Sequence, residues 1–155
     1  MKVLYASDPL TIDDLQKDYS IFLVGPTPRT AEFESWRPEA IKILFNLGFN
    51  GLVLVPERED WNKKFGYDDQ IEWEQLGLQR CSRIVCWVPR VIPGMLGLTT
   101  NFEMGYYIGK RPESIYYGRP IGAPQTAYLD WFYSKHIKKP IYHTLESLLK
   151  ASLES

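Results

Sequence analysis

Three times the chain writes a short apolar run and stops it with proline, and that repetition constrains the fold more than any other feature. The runs are Ser20-Ile21-Phe22-Leu23-Val24-Gly25-Pro26, Gly51-Leu52-Val53-Leu54-Val55-Pro56 and Arg83-Ile84-Val85-Cys86-Trp87-Val88-Pro89. Continuous rather than alternating apolar character is the pattern of a strand buried on both faces, and proline cannot continue a hydrogen-bonded ladder. Two shorter runs, Ser114 to Gly118 and Pro140 to His143, extend the series to five. Between the runs lie helical patterns. Pro38 opens one in which Trp36, Ala40, Ile43, Leu44 and Leu47 recur until Gly48 caps it, and Asp68 or Asp69 is placed to cap a second over Gln70 to Cys81. Ala123 to His136 carries a stripe of Leu129, Phe132, Tyr133 and His136, and Leu145, Leu148 and Leu149 mark a terminal helix. Residues 1–19 read as an irregular lead-in with at most a short strand at Val3 to Ala6. Alternating strands and helices predict a doubly wound α/β sheet of about five parallel strands, with helices on both faces and ligands at the carboxyl ends of the strands.

A length of 155 residues with 45% hydrophobic content fits a single domain over 1–155. A net charge of −1 without a long basic run argues against a nucleic-acid polymer or an anionic membrane surface as partner. Met1 to Asp14 lacks the apolar core of a signal peptide, so the expectation is a soluble, cytoplasmic protein. Cys81 and Cys86 match no common zinc spacing, and His136 and His143 stand apart from them, so neither a metal nor another cofactor is expected. The aromatic segment Tyr116 to Tyr133 exceeds what a small domain readily buries and predicts a homo-oligomer.

Chemistry concentrates at Thr99-Thr100-Asn101-Phe102-Glu103-Met104-Gly105-Tyr106, which follows the third strand and a glycine-containing loop. If Glu103 opens a helix, its partial positive charge and free N–H groups keep the carboxylate ionised and fit it for nucleophilic work. A structural alternative exists, because Thr100-x-x-Glu103 also matches a capping box. Arg29, in the rigid turn Pro26-Thr27-Pro28-Arg29-Thr30, is a candidate anion or hydroxyl contact, with a solvated loop arginine as the alternative. Glu74 and Asp69 are candidate acids.

These segments together resemble the nucleoside 2-deoxyribosyltransferase family and its relatives that hydrolyse nucleotide N-glycosidic bonds. The resemblance rests on Ile21 to Pro26, the Trp73-Glu74 helix, Arg83 to Pro89 and Asn101-Phe102-Glu103-Met104-Gly105-Tyr106, and spans roughly residues 20–142. It implies a flavodoxin-like fold, a homo-oligomer, and Glu103 as nucleophile towards C1′ of a nucleoside or nucleotide, with a free nucleobase as acceptor. Gly25, Pro26, Arg29, Asp69, Trp73, Thr100 and Asn101 are the residues expected about the substrate. Phe22 stands where many members carry a tyrosine beside the nucleophile, so the orienting hydroxyl is expected from Tyr106 or Tyr107. Gln75 stands where an aspartate is usual, and the neighbouring Glu74 is expected to protonate the leaving base. Trp61, Trp73 and Phe22 are candidates to sandwich that base. Transfer of deoxyribose is the first reading and hydrolysis of a nucleoside or its 5′-monophosphate the second. A non-catalytic nucleotide-binding module, in which Glu103 only caps its helix, is the third.

Overall fold

The computed structural model describes residues 1–17, 19–60, 62 and 64–154. Five strands form one sheet: β1 Lys2–Tyr5, β2 Ser20–Val24, β3 Leu52–Val55, β4 Arg83–Trp87 and β5 Ile115–Gly118. Their spatial order is β1-β3-β2-β4-β5, and every pairing is parallel. Among the described residues six α-helices accompany them: α1 Ile12–Lys17, α2 Arg37–Asn46, α3 Tyr67–Arg80, α4 Leu98–Lys110, α5 Ala127–His136 and α6 Leu145–Leu153.

The alternation of side chains along β2 explains the two layers. Phe22 and Val24 face one cluster with Leu15 of α1, Trp73 and Leu78 of α3, Met104 and Tyr107 of α4, and Leu129 and Tyr133 of α5. Ile21 and Leu23 face the other, with Ala40 and Leu44 of α2 and Leu148 and Leu149 of α6. Every residue of β2 is buried, so no polar alternation could have survived there. Each large apolar side chain that the central strands remove from water contributes roughly 1.5–3 kcal/mol. Among the described residues no helix is long and apolar enough to cross a membrane.

The fifth strand is not the expected one. Pro140 to His143 contributes only a parallel bridge between Tyr142 and Gly118, because Pro140 has no N–H to donate and the chain turns into α6 at the Thr144 cap. The N-terminal segment read as a lead-in instead supplies β1, which pairs with the outer edge of β3 from Lys2↔Leu52 to Tyr5↔Val55. The aromatic segment that suggested an oligomer is largely internal, since Tyr116, Tyr117 and Tyr133 are core residues and only Ile121, Tyr128 and Trp131 are strongly exposed. His136 is exposed at the end of α5.

Strand order reverses between β2 and β4, which start crossovers to opposite faces. That switch point opens a crevice above the carboxyl ends of both strands. Helix α3 is held close beside it because a Cβ on Gly77 would lie 2.7 Å from the Phe22 ring and 3.2 Å from Leu54. Gly77→Val should therefore overpack this contact and destabilise the protein by about 1–3 kcal/mol in chemical denaturation. A variant with unchanged midpoint would show that the approach of α3 is not tight.

Candidate active site

Helix α4 begins one turn earlier than the sequence suggests. Its N-cap is Gly97, in a left-handed conformation with φ 67°, where a Cβ would meet Pro26 at 2.7 Å. Thr100 is consequently the third residue of the helix, fully buried, and Glu103 is the sixth. This excludes the capping box and the first-turn environment for Glu103. Its own N–H lies within the helical ladder, so the helix terminus cannot dominate its electrostatics. Burial does: the Glu103 carboxyl is pushed up from 4.5 to about 8, first by desolvation, then by the charge of Glu74, while Arg37 acts in the opposite sense. The expectation of a carboxylate held ionised by its helix is thus reversed.

Glu103 and Glu74 line the same cleft of about 380 Å³ with Thr27, Arg29, Glu57, Gln70, Gln75 and Phe102. Glu74 is half-buried on α3, and desolvation raises its carboxyl as well, opposed by a hydrogen bond from Gln70 and by Arg37. Two carboxyls sharing a desolvated cleft do not both ionise readily, so they titrate as a coupled pair.

Beneath them lies Arg37, only 1% exposed, the first residue of α2. Its Nε donates to the Leu23 carbonyl at 3.1 Å, Nη2 to the Gly25 carbonyl at 2.8 Å, and Nη1 to Thr27 Oγ1 at 3.1 Å and to Glu57 Oε1. One guanidinium thereby ties the end of β2 to the loop after β3. Sequence reasoning passed over Arg37, although a signal was present: Arg37, Ala40 and Leu44 follow one helical stripe, and that stripe is the buried face of α2. A cation on a core-facing stripe demands partners.

The other expected site residues divide. Gly25, Pro26, Arg29 and Thr100 line a second cleft of about 620 Å³, which also takes in Thr27, Thr30 and Thr99 and adjoins the first through Thr27, Arg29 and Thr99. Arg29 is exposed at the mouth of both. A Cβ on Gly25 would fall 2.1 Å from the Trp87 carbonyl, so only glycine lets β2 end this close to β4.

Asp69 does not join Glu103. It is the third residue of α3, its Oδ2 accepts from the N-cap Gly66 N–H at 3.2 Å, and it lines a separate groove with Asp8, Phe65 and Trp73 on the far side of the helix. Gly66, rather than Asp68 or Asp69, is the N-cap of α3. Trp73 is a core residue whose indole N–H donates to the Asp8 carbonyl at 3.0 Å and whose ring packs on Phe22 at 5.9 Å. Neither ring can sandwich a base in this cleft; Trp61 lies outside the described residues. Asn101 faces α5, accepting from Arg90 at 2.6 Å, away from the carboxyl pair. Tyr106 is exposed, stacked against Phe102 at 6.5 Å and bonded to Lys110. Tyr107 is the buried member of the pair, its hydroxyl 3.4 Å from Gln75 Oε1. Among the described residues no group of three or more His, Cys, Asp or Glu is placed to hold a metal ion.

A doubly wound parallel sheet with two carboxyls in a cleft over its switch point defines an α/β protein whose crevice between β2 and β4 is where ligands bind in this architecture. The chain belongs to the nucleoside 2-deoxyribosyltransferase-like family, whose model matches residues 18–119. The matched stretch runs from β2 through β5 and includes Arg37, Glu57, Glu74 and Glu103. No curated protein matches the chain significantly.

Proposed function

We propose that the protein cleaves the N-glycosidic bond of a 2′-deoxynucleoside through a covalent glycosyl-Glu103 intermediate and transfers the deoxyribose to another nucleobase. The observation that carries this reading is the Glu103–Glu74 pair in one cleft, with both carboxyls biased towards holding a proton. The larger shift falls on Glu103, so the reacting form, with Glu103 ionised and Glu74 protonated, is the minor one of the singly protonated pair and is selected by the bound substrate. The Glu103 carboxylate attacks C1′ as the bond from C1′ to the base nitrogen breaks. Its electron pair leaves with the base, and Glu74 supplies the proton the base requires. In the return step a nitrogen of the acceptor base attacks C1′, Glu103 departs as carboxylate, and the proton of the incoming base passes to Glu74. Arg37, by favouring the anionic forms, limits the cost of having a charge in a desolvated site.

A second reading, hydrolysis of a nucleoside 5′-monophosphate, draws support from the adjoining cleft. That cleft contains no carboxylate, offers the hydroxyls of Thr30, Thr99 and Thr100 beside Arg29, and lies at the N-terminus of α4. Deoxynucleosides and their 5′-monophosphates, incubated with and without a free acceptor base and followed by product separation, decide between the readings. A new nucleoside formed only with acceptor supports transfer, free sugar or sugar phosphate supports hydrolysis, and intact substrates throughout defeat both. If the phosphate is bound, Arg29→Ala should raise KM for the monophosphate about 10-fold or more and leave the nucleoside nearly unaffected. Equal effects on both would remove the phosphate from this position.

A further inference from the structure

A polar chain enters the carboxyl cleft from the loop after β3, and the reaction as written makes no use of it. Gln70, the fourth residue of α3, is half-buried and lines the cleft one helical turn before Glu74. Its Nε2 donates to Glu74 Oε1 at 3.0 Å, and its Oε1 accepts from Arg58 Nε at 3.2 Å. Arg58 fixes the sense of the carboxamide, because a guanidinium can only donate, so Gln70 Oε1 faces it and Nε2 is left to donate to Glu74. Arg58 is itself placed over the Phe65 ring, 5.8 Å from its centroid. Its neighbour Glu57 is the residue that receives Arg37. Two consecutive loop residues therefore reach, one directly and one through Gln70, the groups that govern the carboxyl pair.

We propose that Gln70, oriented and polarised by Arg58, is a positioning residue that confines the transferable proton of Glu74 to Oε2. The physical reason is an asymmetry of a carboxylic acid: its carbonyl oxygen is a good acceptor and its hydroxyl oxygen a poor one. An N–H directed at Oε1 makes Oε1 the carbonyl and leaves Oε2 as the oxygen that carries, donates and recovers the proton. A carboxyl without this donor would divide its proton between both oxygens and spend part of its time in the wrong geometry for the leaving base. The cation of Arg58 strengthens the effect by drawing electron density towards Gln70 Oε1. The proposal rests on Glu74 serving as the acid, and it adds the device that sets which of its oxygens works.

Other groups line the cleft with Glu74: Glu103 from α4, Arg29 after β2 and Glu57 after β3, with the Tyr67 hydroxyl on its own helix and Arg58 behind Gln70, while Arg37 from α2 is the cation that lowers its proton affinity. Only the Gln70 contact distinguishes one Glu74 oxygen from the other by a hydrogen bond among the described residues.

Gln70→Leu keeps the size of the side chain and removes the donor, and Arg58→Lys keeps a cation opposite Gln70 Oε1. The first measurement is a 13C NMR titration of the glutamate carboxyl carbons in wild type, Gln70→Leu and Arg58→Lys, with Glu74 identified through Glu74→Gln. The Glu74 midpoint should rise in Gln70→Leu, since the lost donor favoured the anion, and stay close to wild type in Arg58→Lys, which keeps both the donor and a cation behind it. The second measurement is the pH profile of turnover on whichever substrate the wild type cleaves. Gln70→Leu should lower kcat about 10-fold with KM within about 2-fold, and its high-pH limb should move upwards. An unchanged Glu74 midpoint in Gln70→Leu overturns the proposal whatever the activity. A wild type that leaves every glycosidic bond intact, with the midpoint shifted as expected, defeats the proposed function while leaving the grip of Gln70 on Glu74 standing.

Discussion

Glu103→Gln is expected to lose turnover by a factor on the order of 10³ or more while melting at a higher temperature than the wild type. The kinetic half follows from the anion being the attacking group, which a carboxamide of the same shape cannot replace. The thermodynamic half follows from linkage. In the unfolded chain Glu103 releases its proton near 4.5, whereas in the folded protein it holds the proton up to about 8. Between those values the folded state binds more protons than the unfolded state, so stability falls as pH rises, and it levels off once both states are ionised. The carboxamide of the variant is neutral throughout. Its melting advantage should therefore be absent below about pH 4, grow through neutrality and reach its full size above about pH 8, at about 2–4 °C for each kcal/mol recovered. A capping glutamate would behave oppositely, with Gln costing stability and sparing activity. Scanning calorimetry at about pH 4, 6 and 8.5 separates the two, and a variant that is fully active, or less stable at the highest pH, defeats the assignment. In the wild type the pH profile of kcat/KM should be bell-shaped, since attack needs Glu103 ionised while the leaving base needs Glu74 protonated.

The legible part of this molecule is the part written in apolar patterns. Strands β2, β3 and β4 could be read within a residue or two because burial on both faces leaves an uninterrupted run that proline then ends. β1 was less legible, since an edge strand of four residues with mixed burial carries little periodic signal. Composition counts rings without placing them: Tyr117 and Tyr133 pack edge to face inside the domain at 5.3 Å, while Tyr128 and Trp131 of α5 are exposed. At the site, Glu103 and Glu74 were legible through the resemblance, but their electrostatics were not. The Glu103 shift comes from burial in the cleft and from Glu74 on another helix, and both are relations between segments far apart in the chain. Asp69, Trp73, Asn101 and Tyr106 share helices with the two carboxyls yet point to other faces. An error of one turn in a helix start, or of one position in its phase, moves a side chain from the cleft to the core or the surface.

Arg37 should prove the most costly single residue to remove. Arg37→Met preserves much of the aliphatic volume but leaves Glu57, whose side chain is 14% exposed, without its cation, and leaves the Leu23 and Gly25 carbonyls without their donor. Breaking a buried pair from one side costs about 3–5 kcal/mol, which for a domain of this size lowers Tm by roughly 6–20 °C. The penalty arises chiefly from the stranded Glu57, so adding Glu57→Gln should recover a large part of it, and a double-mutant cycle in urea measures how much. Arg37→Lys retains the charge but not the fork that reaches several acceptors at once, and should fall between wild type and Arg37→Met. The same substitutions read out on the carboxyl pair. Arg37 lowers the proton affinity of both Glu103 and Glu74, so its removal should carry the ascending limb of kcat/KM to higher pH, with Arg37→Lys close to wild type. Loss of stability without movement of the limb would make Arg37 a structural clamp between β2 and the loop after β3. Movement of the limb without loss of stability would contradict the burial of its partners, and a variant unchanged in both would remove Arg37 from any account of the site.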